Sequence, residues 1–363
     1  MAPRPAPIAP VPARTYKNVR THGLAAITLL VSLASAPGLA NIQAPFSVVG
    51  SESPESGTPE NAPLEEVVVS GEQPGPGLWK VTHGSHVLWI LGTVTPLPKG
   101  VQWHSRQVES VIANAKIVIA GGSVTPKIGL FRAMTLFPSV LRARFNPDGA
   151  MLKDLISPEQ YDRWLVLKKK YFDDDKKIER VRPMFIAMQM QGKAIEQAGL
   201  VEQGGLGRTL AALAKKYRVP MYSADIRIEL DDPKKTIRDF SDTPREADLD
   251  CFNQTLERFD SDLETMKLRA NAWSIGDVEE LRKLPLPVGR ARCSDALTSA
   301  PALQGDFTKT KDKILATWLA DAEKALANNE VSLAILSMEE VLNPAGKLAH
   351  LQERGYQVEA PSP

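Results

Sequence analysis

Histidine is the side chain most often used to hold a catalytic metal or to move a proton near neutral pH. This sequence has five: His22, His83, His86, His104 and His350. His83 and His86 bracket a turn, and His350 lies in a helical stretch with no second histidine one turn away. The 83/86 pair could touch a metal, but histidines beside a turn are normally solvated, so no metal is assigned to them. Gly204 to Thr209 opens a helix and could receive an anion, yet it lacks the lysine of a phosphate-binding loop and the third glycine of a dinucleotide fingerprint. Gly121-Gly-Ser-Val-Thr125 follows a strand as a nucleophilic serine would. Thr125 stands where that elbow needs its second glycine, and no histidine partners Ser123, so both stretches read as loops. Asp173 to Asp175, followed by Lys176 and Lys177, reads as a solvated connection between helices. Met184, Met188 and Met190 read as core packing on one helix.

Cys251 and Cys293 are the only cysteines. Without CxxC spacing they do not suggest zinc. In an oxidising compartment they would pair as one disulfide; the alternative is two buried thiols.

The 44 basic and 43 acidic residues leave a net charge of +1, which gives no general attraction to nucleic acid or anionic surfaces. A hydrophobic fraction of 43% is enough for a substantial core. At the start, Arg4, Arg14, Lys17 and Arg20 precede an apolar run from Leu24 to Ala36 that is short for a bilayer span. Residues 1–40 therefore read as a signal peptide cut after Ala40, with an uncleaved anchor as the alternative, and no transmembrane segment is expected after processing. No cysteine lies near the cut for lipid attachment. Residues 41–76 read as a disordered linker. Within it, the β-branched stretch 64–70, with Leu64, Val67, Val68 and Val69, is either an edge strand or a strand added to a partner.

The ordered domain is expected over 77–360. Leu78 to Thr82 and His86 to Leu91 form a hairpin around Gly84, followed by a helix over Ser105–Ala115 and a strand over Lys116–Ala120. Residues 125–200 are mostly helical, with Ser157-Pro158-Glu-Gln160 a clear helix start. A helix over Leu206–Tyr217 leads to a strand over Val219–Asp225. Helices over Arg245–Ala272, Gly276–Lys283 and Thr308–Ala327 precede a strand over Val331–Leu336, a helix over Ala345–Glu353 and a last extended segment, Gly355–Val358. Strands with helical crossovers imply an α/β fold: a central mixed sheet with flanking helices and a large helical cap.

Several segments together resemble the TraB/GumN family, relatives of the Tiki-type metalloproteases. Leu88-Trp-Ile-Leu-Gly92-Thr-Val-Thr95 and Ala115 to Ala120 resemble its opening, which carries a Gly-Thr-x-His motif and then a strand ending in Glu. Ala272-Trp273-Ser-Ile-Gly276-Asp277 resembles its aromatic-x-x-Gly-Asp helix break. Ser337-Met-Glu-Glu340-Val-Leu-Asn343-Pro-Ala-Gly346-Lys-Leu348 resembles its second Gly-x-x-His motif. The resemblance implies a divalent metal for peptide hydrolysis, but each implied ligand is replaced: Thr95 and Glu340 stand for the histidines, Ala120 for the glutamate and Ser337 for the leading glycine. Asp225 keeps an acid at the later Glu position, and Asn343 replaces a glycine whose left-handed backbone it tolerates.

The sequence therefore suggests a periplasmic or secreted pseudoenzyme with a binding or scaffolding role toward an unknown periplasmic protein or polysaccharide, and no cofactor. The link to envelope polysaccharide comes from the resemblance alone. The alternative is a metal-dependent or carboxylate-based hydrolase with a rearranged site built on Asp225, Glu339 and Glu340, whose paired carboxylates could also serve acid/base work if folding brings them together. In the first reading Glu339 and Glu340 are a solvated or capping pair at the start of the last helix.

Overall fold

The computed structural model describes residues 75–361, apart from 76, 100–104, 174, 203–204, 224, 229–231, 243–244, 288, 290–291, 295 and 297–300. The expected signal peptide and strand 64–70 lie outside the described residues, as do His22 and His104.

The core is a six-stranded mixed sheet in the order β10-β1-β2-β9-β4-β7. β1 (Trp79–His83) and β2 (His86–Thr93) form the expected hairpin, with Gly84 at φ 60 in the turn. That backbone sign favours glycine. β1 alternates buried Trp79 and Val81 with half-buried Lys80 and Thr82, the period-two pattern of a strand. β2, β9 (Val331–Ser337), β4 (Val118–Ala120) and β7 (Met221–Ser223) run parallel, and β10 (Gln357–Glu359) closes the other edge antiparallel to β1. β9, late in the chain, is inserted between β2 and β4. Segments more than two hundred residues apart thereby become neighbours at the carboxyl ends of the strands, with Thr93 level with Ser337 and Ala120 level with Ile335 and Ser223. Two short pairs lie outside this sheet: β3 (Leu97–Pro98) with β6 (Leu200–Val201), and β5 (Val124–Pro126) with β8 (Ile226–Ile228).

Helix α1 (Arg106–Asn114) packs on β9, and the Ser105 hydroxyl accepts from the Val108 N–H at its start. α2 (Leu130–Arg142) is followed by α3 (Pro158–Phe172), where Ser157 and Gln160 cap one another reciprocally at 3.2 and 3.1 Å, as the sequence predicts. Asp173 ends α3 in the left-handed region at φ 48, and Asp175 accepts from the Lys177 N–H. The acidic run is thus a connection between helices. α4 (Pro183–Gln197) and α5 (Gly205–Lys216) lead to α6 (Pro233–Ser241) and then to α7 (Arg245–Ile275), the longest helix described.

Two buried ion pairs organise this helical block. Arg182 grips Asp248 through Nε at 2.6 Å and Nη2 at 3.0 Å, and Lys168 meets Glu179 at 2.8 Å. Cys251 on α7 is joined to Cys293 by a disulfide, both residues buried. Of the methionines expected in the core, Met184 and Met190 are fully buried on α4 and Met188 packs against them in part.

After α8 (Val278–Lys283), helix α9 (Pro301–Asn328) packs on β1, β2 and β9, and buries Trp318 completely. It begins at Pro301 rather than at Thr308 as expected; proline is preorganised for a first helical position. The strand expected over Val219–Asp225 is described over Met221–Ser223, and Asp225 lies outside it. α10 (Met338–Leu342) follows β9 directly, and α11 (Lys347–Glu353) completes the chain before β10. Glu339 and Glu340 therefore start α10, not the last helix. Asn343 also differs from expectation: its φ is −71, and its side chain accepts from the Ala345 N–H at 2.9 Å. An Asx turn replaces the left-handed backbone. Among the described residues, no helix is long and apolar enough to cross a membrane.

Candidate functional site

In open α/β sheets ligands bind beyond the carboxyl ends of the strands, and a cleft of about 440 Å³ lies there. One wall is the end of β2 and its loop, Thr93, Val94 and Thr95; the next is the end of β9 and start of α10, Ser337, Met338 and Glu339. α7 supplies Met266 and Arg269, and the segment beyond α8 supplies Leu286, Pro287 and Ser294.

Local interactions fix these walls. Ser337 caps α10 by accepting from the Glu340 N–H at 3.2 Å, which places two acidic residues in the first turn, where the helix dipole suits them. Thr93 donates to the Leu336 carbonyl at 3.0 Å, tying the two strand ends together. Thr95 donates to the Glu202 carbonyl at 2.6 Å. A Cβ at Gly92 would stand 2.7 Å from Cε of Met338, so the bare backbone lets Met338 fold under the cleft floor. At Gly346 a Cβ would collide with the carbonyl of Glu340, so the turn between α10 and α11 also needs glycine.

α7 is locked to this floor. Trp273 is fully buried, and its indole N–H donates to the Gly92 carbonyl at 2.8 Å. One turn earlier on the same face is Arg269, only 7% exposed. Its Nη1 donates to the carbonyls of Leu281 and Leu284 at 3.3 and 3.0 Å. Nε and Nη2 have no partner among the described residues. Burial lowers the guanidinium's pKa from its ordinary value, and the charge of Glu339 acts in the opposite sense. The cleft is thus lined by hydroxyls and apolar side chains around one anchored cation with a carboxylate nearby.

The residues anticipated from sequence are only partly brought together. Glu339 lines the cleft. Glu340 pairs at 3.0 Å with Lys347, a buried residue whose ammonium lies over the Trp318 ring. Asp225 lies beyond β7, where one carboxylate oxygen accepts from the Ser123 N–H and hydroxyl at 2.9 and 2.6 Å and from the Ser223 hydroxyl at 2.9 Å. Ser123 is thereby a partner of Asp225, joining the ends of β4 and β7. Of the histidines, His86 Nδ1 is 2.7 Å from the Leu326 carbonyl, His83 stacks edge-on against Tyr356, and His350 lies 2.9 Å from Glu353. Arg269 was not singled out from sequence. Its signal is its place one turn before the Trp273 motif.

A divalent metal of the kind the resemblance implies does not fit the side chains at the motif positions. Thr95 offers a neutral hydroxyl already donating to a carbonyl, Ala120 offers no donor, and Glu340 is held by Lys347. Among the described residues, no three His, Cys, Asp or Glu side chains converge as metal ligands would.

The parallel strands with their cleft at the carboxyl ends, the Trp-x-x-Gly-Asp break and the two flanking motif segments define a mixed α/β protein with a six-stranded central sheet flanked by helices. The chain belongs to the TraB/PrgY/gumN family, whose model matches residues 77–360. No curated protein and no solved structure matches it.

Proposed function

We propose that this chain is an exported member of its family that has exchanged catalysis for binding, and that its cleft receives a carboxylate-bearing, hydroxyl-rich ligand such as an acidic envelope glycan in the periplasm. The observation that carries this reading is Arg269: a buried guanidinium lining the cleft, anchored through one nitrogen and with donors to spare. Guanidinium is suited to planar carboxylates, and a preanchored one loses little freedom on binding. The hydroxyl-bearing wall of Thr95, Ser294 and Ser337 suits sugar hydroxyls, and Met266 and Leu286 give apolar contact for a ring face. The replaced ligand positions support binding over hydrolysis, since Glu340 is engaged by Lys347 and Asp225 by Ser123, while Glu339 alone of the three lines the cleft. Export rests on the basic-then-apolar start and the small residues before Asn41.

The test is calorimetric titration of the purified protein with a uronic-acid oligosaccharide and with a neutral one of equal length. The acidic sugar should bind and the neutral one should not. Glu339→Gln, at an exposed position that leaves folding intact, should tighten binding about two- to fivefold by removing a competing charge. Equal binding of both sugars, or of neither, would reject the ligand class, and shortened products in the mixture would restore the hydrolase reading. Mass measurement of protein from the periplasmic fraction checks export; an intact start would reject cleavage at Ala40.

A further inference from the structure

Helix α2 is apolar nearly all round, in the sequence Leu130-Phe-Arg-Ala-Met-Thr-Leu-Phe-Pro-Ser-Val-Leu-Arg142. A helix of that composition is ordinarily buried on every side. Among the described residues only one face is covered: Leu136 is buried, and the helix rests on α6. The opposite face presents Phe131 at 86% exposure and Met134 at 66%, with Pro138 exposed between them and Arg142, and Phe145 half exposed just beyond the helix. Single exposed apolar residues are ordinary, but a row of them along one helix marks a contact surface.

The charge around this row indicates what covers it. Between Ser123 and Asp148 the chain carries Lys127, Arg132, Arg142 and Arg144 and no acidic residue, although the whole protein balances 44 bases against 43 acids. α6, packed beneath, adds Lys234, Lys235 and Arg238 against Asp232 and Asp239, of which Asp239 pairs with Lys235 and Asp232 lies near Arg132 and Arg238, so the surplus of bases comes from the stretch around α2 itself. A convex helix with large apolar side chains on its crest and bases along it has the chemistry of an interfacial membrane helix. We propose that α2 lies in the surface of an anionic bilayer, with Phe131 and Met134 entering the acyl boundary and Arg142 meeting lipid phosphates. This holds the cleft-bearing body against a membrane without a spanning segment, and it stands independently of what the cleft binds.

Thr135, on the same exposed face, serves as the reporter site. Both native cysteines are locked in the Cys251–Cys293 disulfide, so Thr135→Cys in the full chain takes an environment-sensitive fluorophore at one place. Vesicles of phosphatidylglycerol with phosphatidylethanolamine should shift its emission to the blue, and phosphatidylcholine vesicles should not. Adding Phe131→Glu and Met134→Glu should weaken the apparent vesicle affinity by about tenfold or more, and Arg142→Gln alone should weaken it less and flatten its salt dependence. The substituted side chains are exposed, so an unchanged melting curve is expected. No shift on anionic vesicles, an equal shift on phosphatidylcholine, or a shift that survives both glutamates would overturn the proposal.

Discussion

The indole N–H of Trp273 donates to the carbonyl of Gly92 at 2.8 Å, across 181 residues of sequence, in a fully buried position. This bond joins the long cap helix α7 to the strand that forms the cleft floor. Gly276, at φ 82, then ends α7: the Gly276 N–H reaches the Trp273 carbonyl and the Asp277 N–H reaches that of Ala272, after which Asp277 caps α8. The three residues of that motif thus act in succession, one docking the helix, one stopping it and one starting the next.

Trp273→Phe keeps most of the packing and strands a buried carbonyl. It should cost about 1–3 kcal/mol, and Trp273→Ala about 3–5 kcal/mol, in urea unfolding. Equal stability of the Phe variant and the parent would show that packing alone holds α7 to the floor.

The disulfide closes a sequence separation of 42 residues from α7 to Cys293. Chain-entropy reasoning puts the stabilisation near 4 kcal/mol. Replacing both cysteines with serine should lower the urea midpoint accordingly, with the same loss on reduction of the parent. Thiol titration of the unfolded, unreduced protein should find none free; two titrating thiols would contradict the pairing.

Much of this fold was legible because its signals are local. Ser157 with Gln160, Gly84 in its hairpin and Gly276-Asp277 each fix backbone geometry through neighbours in sequence. The parallel strands were legible as β-branched runs between helices. β3, β5, β6 and β8 were not: each has two or three residues and lacks the longer apolar run that marks β4 within Lys116–Ala120. The site was legible as a place but not as a set of groups. The motif positions do gather at the ends of β2, β4 and β9, because register brings Thr93 beside Ser337. What the remaining acids do is decided by tertiary partners that sequence does not name: Lys347 for Glu340, Ser123 and Ser223 for Asp225. Arg269 was missed for the same reason, as its value depends on α7 docking at the end of β2 through Trp273.

Arg182 holds Asp248 through two hydrogen bonds, donates a third to the Phe240 carbonyl at 2.9 Å, and lies over the Phe240 ring, all with both charges nearly excluded from water. Removing one charge leaves the other buried alone, so Asp248→Ala should destabilise by about 3–5 kcal/mol. The double substitution Arg182→Met with Asp248→Leu should cost clearly less, since neither desolvated charge remains. Additive losses in denaturant titrations would show that the two residues do not act as a pair.

Asp321 on α9 gives the fold a predictable response to pH. Burial raises its carboxyl pKa above the ordinary value, the Tyr222 hydroxyl and Lys324 oppose that only in part, and Oδ2 has no hydrogen-bond partner. A raised carboxyl pKa means the folded state takes up the proton more readily than the unfolded chain. The contribution of Asp321 to stability is therefore fully present below its unfolded pKa and is lost as pH rises through its folded pKa, leaving a half-buried carboxylate at neutral pH. Asp321→Asn should accordingly stabilise the protein at pH 7, and the advantage over the parent should shrink as pH falls into the carboxylate range. Paired thermal melts of parent and variant across that range would measure the difference. A variant that is less stable at neutral pH, or an advantage that grows toward acid, would mean that the Tyr222 hydrogen bond outweighs the loss of hydration.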